Sequence, residues 1–190
     1  MLVKQVFDAD LLVNNLGIFE IKPFAETSDA DWLRLFEVNV LSGVRLARHY
    51  LPSMLEKHGG RIIFISSKSG QRIPAEMIHY GMTKTAQVSI GRGLAESVAG
   101  SGVTVNSILA GPTASEGAGR FVERMAKEQG VTPVEIEKQF FARVRPSSLL
   151  KPFETPEEVA AVVAFVASRD GVTINGAAVR AEGGVVRSIF

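Results

Sequence analysis

The feature that most constrains the fold of this chain is an alternation of short apolar runs with longer segments of helical periodicity. Four runs rich in β-branched residues are predicted to be strands: Leu11–Asn14, Arg61–Ser66, Val103–Leu109 and Ala177–Arg180. Such an alternation is typical of βα units built around a parallel sheet. The first two runs are almost unbroken, as expected of strands covered on both faces. The sequence therefore predicts an α/β fold, and residues 1–190 contain no repeat or long linker that would divide this single domain.

Capping sequences mark the starts of three helices. In each, a hydroxyl residue stands three positions before a carboxylate, and two of the three have proline at the first helical position. The three pairs are Ser28 with Asp31, Thr132 with Glu135, and Thr155 with Glu158. Apolar residues at helical spacing follow each pair, so helices are predicted to begin at these points.

Composition excludes several classes of function. The 21 basic and 20 acidic residues leave a net charge of +1, which offers no electrostatic footprint for nucleic acid. There is no cysteine, and His49, His58 and His79 are scattered, so no metal site is predicted. No apolar run reaches the roughly 18 residues that a membrane span requires, and Met1–Asp8 lacks the pattern of a secretory signal. A cytoplasmic protein without nucleic-acid or membrane partners is expected.

Tyr80 and Lys84 form a candidate acid/base pair. Four residues apart on a helix, they lie on one face about one turn apart. A nearby cation favours phenolate, so we expect Lys84 to lower the pKa of Tyr80 towards neutrality. Upstream, Ser67 follows a predicted strand, at the edge where open α/β sheets assemble their ligand sites. Taken alone, the Tyr80–Lys84 spacing also fits a simple surface pair.

Ser67, followed by Tyr80 thirteen positions later and then by Lys84, resembles the serine, tyrosine and lysine of the short-chain dehydrogenase/reductase family. Five further segments resemble this family in order and spacing. They are Asn14-Asn15-Leu16-Gly17, Phe36–Val40 with Asn39 at the position of a catalytic asparagine, Asn106–Thr113 with its Gly111-Pro112 pair, Thr155–Ala160 at the last helix, and Ala181–Gly184 at the final turn. Leu16, Ala110 and Glu182 depart from the alanine, proline and aspartate usual there.

The resemblance implies an oxidoreductase that interconverts a small-molecule carbonyl and an alcohol with NAD or NADP. Tyr80 would exchange a proton with the substrate oxygen, Ser67 would donate a hydrogen bond to that oxygen, Lys84 would bond to the nicotinamide ribose, and Asn39 would position a relay water. The implied cofactor contacts are Asn14, Asn15, Gly17, Tyr80, Lys84, Gly111, Pro112 and Thr113. Each has a structural alternative, since Asn39 could satisfy nearby backbone, and loop serines, asparagines and glycines often only form turns.

The resemblance covers only the later part of the family's pattern. Family members begin with a strand and a glycine-rich turn that admits the cofactor's pyrophosphate. The chain is therefore expected to form a partial Rossmann-like, doubly wound parallel sheet that lacks the first three strands, about 70 to 80 residues. The residue that selects NAD or NADP would be lost with them, and Leu11–Asn14 would become an aggregation-prone edge.

An alternative function follows from that expectation: a truncated, non-catalytic remnant that acts only as an oligomer or interaction partner. The family usually forms homodimers or homotetramers, and by resemblance the helices that begin near Asp29 and Ile78 would supply the interface.

The segment from Ser115 to Pro152 is expected to cover the substrate. An apolar pocket could be lined by Phe121, Met125, Phe140, Phe141, Leu149 and Leu150, although such residues at helical spacing also suit ordinary core. Arg143, Arg145 and Lys151 could bind an acidic group such as a carboxylate or a carrier-linked phosphate, with solvated surface charge as the alternative.

Overall fold

Four parallel strands form the sheet in the computed structural model, which describes residues 8–189. They are β1 (Leu11–Asn14), β2 (Gly60–Ser67), β3 (Val103–Ala110) and β4 (Ala178–Ala181), hydrogen-bonded in the order β1-β2-β3-β4. All four predicted strands are present, the first with the predicted bounds and the last displaced by one residue. The predicted α/β fold with a parallel sheet is confirmed.

Six α-helices connect and cover the strands in the described part of the chain. They are α1 (Asp29–Phe36), α2 (Ser42–Glu56), α3 (Ile78–Ser97), α4 (Glu116–Gln129), α5 (Pro133–Gln139) and α6 (Pro156–Ala167). Capping boxes start α1, α5 and α6 at Ser28, Thr132 and Thr155, as predicted. One turn of π-helix, Glu37–Leu41, joins α1 to α2, and another, Phe140–Val144, follows α5.

The core lies on both sides of the sheet. On one side, α2 and α3 pack Tyr50, Met54 and Ala95 against the strand residues Ile62 and Phe64. On the other side, α6 packs its buried Val166 against Ile63 and Ile108. This three-layer arrangement is the doubly wound one that the sequence predicts.

Strand β1 differs from the prediction that it is covered on both faces. Leu12 and Asn14 are buried, but Leu11 is 45% exposed and Val13 is 37% exposed. The reason is that α2 covers one face of β1, whereas α6, on the opposite side, packs on β2 and β3. The prediction is wrong for β1 and correct for the interior strand β2, where Ile62 and Ile63 on opposite faces are both buried.

The carboxyl end of β2 is held against the middle of α3. Ser66 donates a hydrogen bond from Oγ to the carbonyl oxygen of Lys84 at 2.8 Å. Gly70 lies in the short 3₁₀ turn after the strand, and a Cβ there would come within 2.8 Å of the backbone carbon of Lys84. This close approach requires glycine, and it fixes the end of β2 relative to α3.

Candidate active site

The structure brings Ser67, Tyr80 and Lys84 together at the carboxyl ends of the strands. Ser67 is the last residue of β2, and the other two lie one turn apart on α3. The Ser67 hydroxyl lies close enough to the Tyr80 hydroxyl to act on its pKa. The Nζ atom of Lys84 lies 5.7 Å from the centre of the Tyr80 ring. The predicted proximity of the three residues is therefore observed.

Lys84 is a buried cation. Its side chain donates a hydrogen bond from Nζ to the carbonyl oxygen of Ile65 at 2.8 Å. Burial lowers the pKa of Lys84 to about 8, because removal from water disfavours the charged form. A Cβ at Gly17 would lie 3.5 Å from this Nζ, so the loop after β1 passes directly over the ammonium group.

The pKa of Tyr80 does not behave as predicted. Burial raises it, while the hydrogen bond with Ser67 acts in the opposite direction and is the smaller effect. The expected lowering by Lys84 is absent because this ammonium bonds to Ile65 and faces the ring rather than the hydroxyl. In this structure the protonated phenol is the favoured form at neutral pH.

Asn39 lies in the π-helical turn and is almost fully buried. Its amide oxygen accepts a hydrogen bond from the backbone nitrogen of Ile18 at 2.8 Å, and its Nδ2 donates to the carbonyl oxygen of Ile18 at 2.9 Å. Nδ2 also donates to Oγ1 of Thr83 at 3.0 Å. The side chain thus anchors the loop after β1 to α3, as expected if Asn39 serves to satisfy nearby backbone groups. That Asn39 also positions a relay water stays a prediction.

A groove of about 650 Å³ runs along the strand ends, and we call it the strand-end groove. One wall is the loop after β1, and the other includes Val159 and Val163 of α6. Of the predicted site residues, it contains Asn15, Gly17, Ser67, Tyr80, Lys84, Gly111 and Thr113.

A second cavity of about 600 Å³ lies beneath α4 and α5, and we call it the lid cavity. Ser67 and Tyr80 line it as well as the strand-end groove, and so do Gly111 and Thr113. Pro112 lines the lid cavity alone. The Tyr80 side chain therefore stands where two compartments adjoin.

Asn14, a predicted cofactor contact, lines neither the strand-end groove nor the lid cavity. Its side chain is buried on the α2 side of the sheet, where a Cβ at Gly43 would lie 3.3 Å from its Cγ. Neither polar atom of its amide has a hydrogen-bond partner among residues 8–189. The alternation of side chains along a strand explains this orientation, since Val13 lines the groove and its neighbour must face the opposite side.

The wall formed by Gly111–Thr113 is held by two neighbouring segments. The backbone nitrogen of Gly111 donates to the carbonyl oxygen of Ala181 at 2.8 Å, and Thr113 pairs with Glu154. A Cβ at Gly111 would come within 2.6 Å of both Oε1 of Glu154 and the Cα of Glu182, so only glycine fits there.

Glu154, which no sequence pattern singles out, is a buried carboxyl group behind this wall. Burial raises its pKa to about 7, and its Oε2 has no hydrogen-bond partner in the described part of the chain.

The predicted covering segment lines the lid cavity only in part. Phe121 and Phe140 line it, together with Arg143 and Arg145. Of the other residues considered, Phe141 is buried in a neighbouring aromatic cluster, Leu149 is 81% exposed, Leu150 is 52% exposed, and Met125 and Lys151 lie outside the cavity lining. Lys68 is a buried lysine in this cavity that no sequence pattern singles out; its only signal is its place directly after Ser67.

Among residues 8–189, no helix combines the length and apolar character that a membrane span requires.

Comparison with known proteins gives consistent matches across the chain. The family model described as enoyl-(acyl carrier protein) reductase matches residues 1–186. The uncharacterized oxidoreductase YvrD of Bacillus subtilis (strain 168) is 47% identical over 98% of this chain and 71% of its own length. D-beta-hydroxybutyrate dehydrogenase of Rhizobium meliloti (strain 1021) is 30% identical over 97% of this chain and 70% of its own length.

Among solved structures, L-sorbose reductase from Gluconobacter frateurii, complexed with NADPH and L-sorbose, superposes with a TM-score of 0.91. The two proteins are 27% identical, and the match covers 98% of this chain and 70% of that one. Since one family model spans nearly the whole sequence and relatives match it from end to end, the chain belongs to the short-chain dehydrogenase/reductase family.

Proposed function

We propose that this protein is an NAD- or NADP-dependent oxidoreductase that interconverts a small-molecule carbonyl group and an alcohol. The observation that carries the proposal is that the strand-end groove and the lid cavity adjoin at Ser67 and Tyr80. A hydride donor in one compartment and a carbonyl in the other would both lie beside a hydroxyl group able to exchange a proton.

The strand-end groove has the chemistry that a nicotinamide and its ribose require. Val159 and Val163 offer an apolar wall for a flat ring, while the Lys84 ammonium is a donor for ribose oxygens. The Thr113 hydroxyl donates to the carbonyl oxygen of Gly111, so its oxygen would accept from an amide nitrogen. A nicotinamide supplies or accepts a hydride when it is bound. Asn15, Gly17 and Gly111 complete the set of residues that would hold it.

The chain's own residues provide the proton chemistry. During reduction, Tyr80 would give its hydroxyl proton to the substrate oxygen as charge builds up there, and Ser67 would donate a hydrogen bond to the same oxygen. The raised pKa of Tyr80 keeps the phenol protonated and ready to donate. The Lys84 ammonium lines the same groove beside Tyr80, where it would hold the nicotinamide ribose. Asn39 would hold the loop over Lys84 in place.

The names of the relatives support the reaction without fixing the substrate. One relative is a dehydrogenase of D-beta-hydroxybutyrate and another is a reductase bound to L-sorbose. A hydroxy acid and a sugar have little in common beyond an alcohol or carbonyl group. Tyr80 and Ser67 would act on the oxygen of that group. The NADPH in the L-sorbose reductase complex supports a nicotinamide cofactor, and our proposal covers both NAD and NADP.

Replacing Tyr80 with Phe tests this proposal. The variant removes one hydroxyl from the site, so we expect the rate of carbonyl reduction to fall about a hundredfold or more. Oxidation of NADPH and NADH, followed by absorbance over a panel of ketones, aldehydes and oxo acids, measures the effect. Tyr50→Phe makes the same chemical change in the core beneath α2 and is the matched control, with a rate close to that of the unaltered protein.

Equal rates in the Tyr80→Phe variant and the unaltered protein would remove Tyr80 from the mechanism. Calorimetric titration with each nucleotide provides a separate readout. Neither binding nor turnover with either nucleotide would favour the non-catalytic interaction partner considered above.

A further inference from the structure

The lid cavity contains a buried cation that the proposed reaction does not use. Lys68 follows Ser67 directly, lines the cavity and is only 6% exposed. Its ammonium forms no hydrogen bond or ion pair with any other residue among 8–189. The residue is largely buried, which is energetically costly for a charged side chain, and its ammonium has no ion-pair partner in the described residues.

Arg145 is the second cation of this cavity. Its guanidinium bonds to Oε1 of Glu76 at 3.1 Å, and its side chain is 14% exposed. The Nε atom of Arg145 is buried and has no acceptor in the described residues. Arg145 also lies close enough to Lys68 for the repulsion between them to help lower the pKa of Lys68 to about 8, although burial is the larger cause. One face of the cavity therefore carries two neighbouring cations with unused donors.

The carboxylates nearby do not neutralise this pair. Glu76 lines the cavity and balances one of the two charges. Glu182 also acts on Lys68, but it is paired with Arg180 at 2.6 Å and accepts a hydrogen bond from the backbone nitrogen of Val186. Arg72, which is exposed, adds further positive potential. Arg143, which is also exposed, lines the cavity as well, so the lining carries an excess of positive charge.

We propose that Lys68 and Arg145 bind a carboxylate of the substrate, so that the protein acts on oxo acids and the corresponding hydroxy acids. This inference rests on the proposed function, because it assigns the compartment beside Tyr80 to the substrate. The position of Lys68 next to Ser67 favours acids in which a short chain separates the carboxylate from the carbonyl. Phe121, Phe140 and Phe153 supply an apolar surface for the rest of the molecule.

Kinetics on matched substrate pairs test the charge preference. Each oxo acid in a short-chain series is compared with its primary amide, which has nearly the same shape and no charge. We expect the unaltered protein to prefer the acids about tenfold or more in kcat/KM, mainly through KM, since a hydrogen bond to a charged group is stronger than one between neutral groups. Lys68→Met should abolish most of this preference, because it should lower kcat/KM for the acids far more than for the amides.

Lys151→Met is the matched control, because Lys151 lies outside the lid cavity and its side chain is exposed. This variant should keep the preference for acids. Equal losses on acids and amides in Lys68→Met, or no preference in the unaltered protein, would overturn the inference.

A binding measurement separates this inference from the proposed function. Calorimetric titration with butyrate and with butyramide needs no turnover, and we expect butyrate to bind about tenfold more weakly to Lys68→Met than to the unaltered protein. Butyrate binding that depends on Lys68, in a protein without turnover, would refute the proposed function and uphold the anion site. Turnover of neutral ketones with no dependence of butyrate binding on Lys68 would refute the anion site alone.

Discussion

Buried ionisable side chains are concentrated around the two cavities of this protein. Lys84 and Lys68 each have a pKa lowered to about 8, and Glu154, behind the Gly111 wall, has a pKa raised to about 7. In all three, loss of contact with water is the largest cause. Shifted pKa values of this kind are typical of functional sites, where charged groups are buried for reactivity or binding although their burial destabilises the fold.

Glu154→Gln should make the protein more stable at alkaline pH. Between pH 4.5 and about 7 the folded protein binds a proton at Glu154 that the unfolded chain does not, so the stability that this group contributes is lost as the pH rises through that window. The resulting cost above pH 7 is about 3 kcal/mol. Urea unfolding at pH 5 and pH 8 should show that the variant removes most of this difference. Glu157→Gln, at an exposed neighbouring position, is the control and should leave the pH dependence of the unfolding free energy unchanged. The same pH dependence in Glu154→Gln and in the unaltered protein would contradict the prediction.

The packing of the carboxyl end of β2 against α3 positions the candidate active site. Ser67 belongs to the strand, whereas Tyr80 and Lys84 belong to the helix, so their proximity depends on how closely these two elements approach. Gly70 permits that approach, and the hydrogen bond from Ser66 to the backbone of Lys84 maintains it. A change at this contact should therefore affect stability and catalysis together.

Gly70→Ala tests the role of this contact. The new methyl group would meet the backbone of Lys84 and Thr85 at 3.0 Å or less, which only a movement of β2 or α3 could relieve. We expect a loss of about 1 to 3 kcal/mol in the free energy of unfolding and a marked fall in turnover. Gly93→Ala is the control on the same helix, since nothing lies within 4 Å of a Cβ there and alanine favours helix. Thermal unfolding and rate measurements should show Gly93→Ala at least as stable and as active as the unaltered protein; the same result for Gly70→Ala would refute the role given to this contact.

At the scale of the whole molecule, β1 is the exposed edge of the described sheet. It pairs with β2 on one side, and Leu11 and Val13 face outward. Unpaired edges with apolar side chains promote association between chains. The prediction that helices beginning at Asp29 and Ile78 form a homo-oligomer interface concerns a different surface and stays a prediction.

Leu11→Lys should reduce self-association of the 190-residue chain through this edge. A charged side chain at an edge strand opposes pairing with a second chain, and Leu11 is 45% exposed and lies outside both cavities. Light scattering after size-exclusion chromatography should show a smaller fraction of large species in the variant. Leu33→Lys changes an exposed leucine on α1 and tests association through the predicted helical interface. If the size distribution responds to Leu33 and not to Leu11, association occurs through the helices instead.

Local patterns account for the parts of this structure that could be predicted. The strands and the three capped helix starts follow from side-chain periodicity and from hydrogen bonds within a few residues, so Thr132 and Thr155 could be identified without any knowledge of the fold. The order of Ser67, Tyr80 and Lys84, together with the other segments that resemble the family, suggested the family and the place of the site. By contrast, the pKa of Tyr80 was predicted in the wrong direction, because the sequence reveals neither the burial that raises this pKa nor the bond that the Lys84 ammonium makes to Ile65.

The sequence by itself determined which segments become strands and helices, because this property depends on near neighbours along the chain. Only the tertiary structure decided that Asn14 faces α2, that Glu154 and Lys68 are buried, and that two cavities adjoin at Tyr80. Burial and the shape of a cavity depend on contacts between residues far apart in the chain, such as those between the end of β2 and the segment after α5.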